Sequence, residues 1–286
     1  MPPEPSFEPR LVQVGNAGPY TGAGNNTWLI TAGGTSGLVD AGIGNDAHLD
    51  AVAAALEAQH STLEQVLVTH AHQDHAAGAP ALARRLGVRR FRKFTWPEHD
   101  VDGVAWQHVE DGATLDVAEV TLTALHTPGH APDHLAFWHQ DSGVMFTGDL
   151  VNAASSVAII QSRGGDLVSY LASLERLLAL QPARLLPGHG PIIEHPVRLL
   201  TATLAHRRRR DEQVAAAVAA GHATVQAIAN SIYDGLAPEL MPLARENVRA
   251  HLEKLTREGR VVCETVDARS SAATAADDIH WRPARP

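Results

Sequence analysis

"LVTHAHQDHAAG", residues 67 to 78, ends an apolar run in a cluster of side chains that bind metals. From His70 to His75 it holds three histidines and one aspartate. The chain has 17 histidines in 286 residues, so a single His-x-His pair would carry little weight. His-x-His-x-Asp-His is more specific. His70 and His72 flank one residue and can converge on one ion, while the adjacent Asp74 and His75 can face a second. Imidazole and carboxylate without cysteine suit Zn(II), with Fe(II) and Mn(II) as the other candidates.

The surroundings of this stretch read as short strands mixed with helices. "EQVLVT" is a short buried strand that delivers the chain to His70. Leu11–Val14, Thr27–Thr31 and Gly37–Asp40 read as strands between glycine-rich turns. Val120 to Leu125 alternates apolar residues with threonine, the period of a half-buried strand. "GVMFTGD" and "ARLLPGHG" supply two more strands. Helices are predicted from Asp46, over "APALARRLG" with Gly87 as its stop, and over "DLVSYLASLERLLAL", whose leucines form one stripe.

Near residue 200 the pattern changes. A long helix is predicted from Leu199 to Gly221, then two more over "ATVQAIANSIYDG" and "MPLARENVRAHLEKLTREG", then a strand-like "RVVCETVD". Three helices and a terminal β-hairpin or strand predict a small winged-helix module. The expected organisation is a first domain over 1–200 that carries the histidine cluster, a winged helix over 201–269 and a loose tail over 270–286.

Charge and composition exclude some functions. Apolar residues make up 44% and charged residues 19%, as in an ordinary globular protein. The net charge of −9 is uneven: residues 1–200 hold 11 Lys and Arg against 21 Asp and Glu, the remainder 12 against 11. A general nucleic-acid binder shows a basic excess instead. The single cysteine, Cys263, allows no disulfide framework. No apolar run is long enough to span a membrane, and "MPPEPSFEPR" does not resemble a secretory signal. These features predict a cytoplasmic protein without membrane partners.

His-x-His-x-Asp-His after a strand resembles the signature of the metallo-β-lactamase fold superfamily. The resemblance implies three further ligands, and matching residues follow in order: His130 in "LHTPGHAPDH", Asp149 in "FTGD" and His189 in "LPGHG". It implies two ions, one held by His70, His72 and His130, the other by Asp74, His75 and His189, with Asp149 bridging. Asp40 in "GLVDAG" matches a position that supports a ligand or nearby backbone by hydrogen bonding. His134 is expected as a pocket residue, a proton donor or a structural residue, and His126 as a strand-end residue. The implied fold is α/β: a four-layer αββα sandwich followed by a small winged helix.

"GPYTGAGNNTWLI", "HTPGHAPDHLAFW", "FTGDLV", "LPGHGPII" and the C-terminal layout are similar to the β-lactamase-like protein 2 family over residues 10 to 265. Gln73 departs from it, standing where a basic residue is common in animal members. Antibiotic-cleaving members of the superfamily generally lack an aspartate at the position matched by Asp149, so the resemblance implies a different substrate. What the resemblance implies is hydrolysis by a hydroxide shared between two Zn(II) ions, with Asp74 orienting it and shuttling its proton. The favoured substrate is a small-molecule or carrier-bound carboxylic ester, thioester or lactone. An endoribonuclease or phosphodiesterase acting on single-stranded RNA is the alternative, and a DNA-binding regulator with an inert hydrolase shell a second. Tyr20 and Thr21 are expected at the edge of the substrate pocket, and the winged helix as a pocket wall or a homo-oligomer contact.

Overall fold

The computed structural model describes residues 7–18, 21–153, 156–265 and 279–284. Two mixed sheets face each other. The first runs β1 (Arg10–Gln13), β2 (Asn26–Ala32), β3 (Thr35–Val39), β4 (Thr62–Leu67), β5 (Arg90–Lys93) and β6 (Trp106–His108), in that order. The second is ordered β11 (Arg184–Pro187), β10 (Val144–Gly148), β9 (Leu135–His139), β8 (Val120–His126), β7 (Thr114–Val117).

The layers follow from the period-two alternation of side chains along strands. Val39, Leu67, Leu122, Ala124, Phe137 and Phe146 point inward and fill the space between the sheets. Their neighbours Leu38 and Val66 point outward against α1 (Asp46–Ala58) and, past the one-turn α2 (Gln73–Ala76), against α3 (Ala79–Leu86). On the far side Leu125, Met145 and Leu185 meet α4 (Leu167–Ala179) and the start of α5 (Pro196–Ala219). Strands buried on both faces therefore read as apolar runs, and helix, sheet, sheet and helix stack as four layers.

The division expected at residue 200 falls inside one helix. Leu200 and Leu204 pack in the sheet-facing core, whereas Val214, Ala217 and Val218 belong to the C-terminal one, so α5 carries the chain from one unit into the next. The second core adds α6 (Val225–Ile232), α7 (Met241–Arg257) and a β-hairpin of β12 (Val261–Thr265) with β13 (Ile279–Pro283). The tail expected over 270–286 is thus corrected at Ile279–Pro283. Trp281 is buried in that core and its backbone N–H donates to Ala223 O, which anchors the strand. Residues 270–278 lie outside the described residues.

β5, β6, β7 and β9 were not among the predicted strands. β5, "RFRK", shows why: only Phe91 looks apolar, yet Lys93 is also fully buried, ion-paired with Asp100 and Asp133.

Candidate metal centre

Strand pairing in both sheets gathers the candidate ligands at one edge of the sandwich. β3 and β4 run parallel, so Asp40 and the His70 stretch leave the sheet side by side. β10 and β11 also run parallel, which brings Asp149 beside His189. Gly188 N–H donates to Gly148 O at 2.8 Å to fix that adjacency. His130 arrives on the connection between β8 and β9. Loops beyond the carboxyl ends of such strands are where open α/β sheets bind ligands.

Three nitrogens converge first. His72 Nδ1 lies 2.9 Å from His70 Nε2 and 2.9 Å from His130 Nε2. Asp74 Oδ2, His75 Nε2 and His189 Nε2 form a second group, with Oδ2 3.7 Å from His75 Nε2 and 3.4 Å from His189 Nε2. Asp149 lies between the groups. Its Oδ1 is 3.3 Å from both His75 Nε2 and His189 Nε2, and its Oδ2 is 3.6 Å from His130 Nε2.

The outward ring nitrogens fix the tautomers. His130 Nδ1 faces the Ala158 carbonyl at 2.9 Å and must donate to it, leaving Nε2 with a bare lone pair. Thr69 Oγ1 donates to Asp40, so His70 Nδ1, 3.0 Å away, donates to that hydroxyl. His70 and His130 therefore both present bare Nε2 atoms to His72 Nδ1, which satisfies at most one of them. Lone pairs converging without enough protons fit a cation. The donor set, imidazole with carboxylate, fits a divalent transition metal. His70, His72 and His130 would hold one ion, Asp74, His75 and His189 the other, and Asp149 would reach both.

Electrostatics separates the two groups. Burial holds the His70 pKa well below its ordinary value, helped by the neighbouring histidines. Burial and the same kind of repulsion push His72 down to about 4. Burial opposes charge on His75 too, but Asp149, Asp40 and Asp74 outweigh it and hold its pKa well above the usual range. At His189 burial is likewise outweighed by Asp149 and Asp74, and the pKa rises to about 9. Burial also opposes charge on Asp74 and Asp149, yet the His75 charge and hydrogen bonding to His189 keep both carboxylates well below their usual range.

Asp40 sits under this centre with φ +66°, a left-handed conformation aspartate tolerates. Its Oδ1 accepts Thr69 N–H at 2.8 Å and its Oδ2 accepts from His75 Nδ1 at 2.8 Å. One carboxylate thereby ties two loops and aims His75 Nε2 inward. His134 corrects the expectation of a proton donor. It is fully buried, its Nδ1 lies 2.8 Å from Thr127 Oγ1, and its Nε2 accepts the backbone N–H of Asp149 at 3.1 Å. Burial holds its pKa well below the ordinary value, so it is a neutral support for Asp149. His126 stacks on Phe94 with ring centroids 4.3 Å apart, away from the cluster. Thr21 donates to Asn16 O at 2.6 Å, which commits its hydroxyl to the turn. Tyr20 lies outside the described residues.

The sequence reading missed a pair of asparagines. Asn25 N–H donates to Asn16 Oδ1 at 2.9 Å, which turns the Asn16 amide so that its Nδ2 donates to Asn25 Oδ1 at 2.7 Å. Asn25 Nδ2 then has to face the centre, 3.0 Å from Asp74 Oδ2. Next to it, Asn26 Nδ2 donates to Pro187 O and Gly190 O and clamps the loop that carries His189. Their signal was "GNNTW": two adjacent amides opening an apolar strand, where exposed polar residues would be ordinary.

Comparison with known proteins agrees with this architecture. The profile described as "Metallo-beta-lactamase superfamily" matches residues 20–189, and that of the "Beta-lactamase associated winged helix domain" matches residues 224–267. The chain therefore belongs to the metallo-beta-lactamase superfamily, whose members are typically hydrolases, and carries the associated winged helix. Among its relatives is "Beta-lactamase-like protein 2 homolog" of Caenorhabditis elegans, 29% identical over 86% of this chain and 83% of that protein. Another is "Atrochrysone carboxyl ACP thioesterase AgnL7" of Paecilomyces divaricatus, 33% identical over 74% of this chain and 67% of that protein. A metallo-beta-lactamase family protein of Thermus thermophilus shares the fold, with a TM-score of 0.76 at 21% identity over 96% of this chain and 98% of the other.

Proposed function

We propose that this protein is a dinuclear zinc hydrolase that cleaves a carboxylic ester, thioester or lactone. The observation that carries the reading is Asp149, whose two oxygens face different ligand groups. When bound, a pair of divalent ions acidifies water and polarises the substrate oxygen. The chain's own residues hold the geometry and move the proton. Asp74, with a side chain 28% exposed, is more open to solvent than Asp149, His130 or His189. Its carboxylate takes a proton from the attacking water as the new C–O bond forms, and passes it to the leaving alkoxide or thiolate as the scissile bond breaks. The His75 charge and the His189 hydrogen bond keep that carboxylate ionised, and Asn25 adds to them by donating to Oδ2.

The acyl substrate is supported by the charge of −10 over residues 1–200 and by the relative named as an acyl-carrier thioesterase. It is supported also by the winged helix, whose cations are largely engaged. Arg249 pairs with Glu246, Lys254 with Asp211 and Glu258, Arg257 with Asp166 and Arg260 with Glu212. Such a surface leaves little of the basic track that phosphate backbones need.

The test is a parallel assay on acyl thioesters, esters, lactones and labelled single-stranded RNA, with metal content measured on the same sample. Turnover of an acyl substrate, lost in Asp74→Ala, is the expected result. Cleavage of RNA alone, or acyl turnover that survives Asp74→Ala, overturns the reading.

A further inference from the structure

Arg207 is fully buried, and among the described residues no carboxylate lies within ion-pair distance of it. A buried cation without a counter-charge is costly, and an apolar side chain would fill the same volume without that penalty. What the guanidinium adds is direction, because its donors leave in a fixed fork. One arm, Nη1, donates to Asn247 Oδ1 at 2.7 Å, on α7 of the winged helix. The other, Nη2, donates to the Val157 carbonyl, on the segment that follows Asp149. Its central carbon lies over the Tyr170 ring, 5.2 Å from the centroid, and the Tyr170 hydroxyl donates to Leu150 O at 3.0 Å. Asn247 is held in turn by the Tyr233 hydroxyl.

The Val157 contact matters for what lies next to it. Residues 156–160 form neither helix nor strand, so no ladder positions their carbonyls. The carbonyl of Ala158, one residue on, is the acceptor that fixes the ring of His130 at 2.9 Å. A partner to the outer nitrogen of a ligand histidine sets its tautomer and aim.

We propose that Arg207 is a positioning residue for the first ligand group. By gripping Val157 it sets the carbonyl that orients His130, and through Asn247 it makes that orientation depend on the docked winged helix. The proposal rests on the reading of His70, His72 and His130 as one metal site.

The experiment is cobalt(II) titration of the full chain, followed by visible absorption, with thermal unfolding recorded in parallel. Asp74→Ala isolates the first site and His72→Ala the second. In the Asp74→Ala background, Arg207→Met is expected to weaken cobalt binding by about 10- to 100-fold. Arg207→Lys is expected to recover part of that loss and Asn247→Ala to reproduce part of it. In the His72→Ala background all three should leave affinity unchanged. Equal losses at both sites, or none at either, overturn the positioning role. Should Arg207→Met not fold, Asn247→Ala decides by the same criteria. Absence of cobalt binding by the parent chain would instead remove the metal-site reading, and this proposal with it.

Discussion

Asn25 Nδ2 donates to Asp74 Oδ2 at 3.0 Å, joining the residue just before β2 to the ligand stretch 49 residues later. Asn16 holds Asn25 in the required orientation through a backbone N–H that cannot be flipped. Asn25→Ala should therefore weaken metal binding at the Asp74 group by about tenfold or more. Asn16→Ala should act in the same direction with a smaller effect, because it frees the Asn25 amide without removing it. Stoichiometry after dialysis against a weak chelator measures both.

Asp40 satisfies a ligand and a loop with one carboxylate. Asp40→Ala leaves His75 without its outer acceptor, strips Thr69 N–H and puts alanine at φ +66°. The expected result is loss of the second ion together with destabilisation of about 1–3 kcal/mol from the unpaired buried groups. Chemical denaturation of the metal-free protein isolates the second effect.

Gly188 is pressed against the centre without contributing a donor. A Cβ there would lie 2.6 Å from His75 Cε1 and 2.7 Å from Asp149 Oδ1. Gly188→Ala should displace both ligands at a cost of about 1–3 kcal/mol. Activity should fall while far-ultraviolet circular dichroism stays the same.

His48 gives a pH effect away from the metal centre. Burial pushes its pKa down to about 4, and its Nε2 lies 2.9 Å from Thr27 Oγ1. The unfolded imidazole takes up a proton near pH 6.5, whereas the folded one stays neutral until about pH 4. Its contribution is therefore complete at neutral pH and lost as pH falls through that window. Between pH 7 and 5 the native protein should lose on the order of 2 kcal/mol from this group alone. In His48→Gln that part of the acid destabilisation should disappear, as urea unfolding at the two pH values would reveal.

Chelation should abolish hydrolysis and lower the unfolding midpoint, and added zinc should restore both. An ion at 100 times its dissociation constant contributes about 2.7 kcal/mol of stability. An unchanged midpoint on full metal removal would contradict the ligand assignment.

Much of this molecule was legible because its information is local. His70, His72, Asp74 and His75 lie within six residues, so their spacing alone points to one metal-binding stretch. Strands such as Val144–Gly148, buried along their whole length, spell themselves as apolar runs. Lys93 and Arg207 were not legible. A charged side chain reads as surface until its buried partners are known, and those partners come from distant parts of the chain.

The sequence by itself determined the donor types and the order in which they appear, because these depend on side-chain chemistry and on spacings of a few residues. The tertiary structure alone decided that His134 is consumed in holding Asp149, and that Asn25 and Arg207 belong to the support of the site. Hydrogen bonds and burial between residues far apart in the chain become definite only when the sheets pair and the helices pack across them.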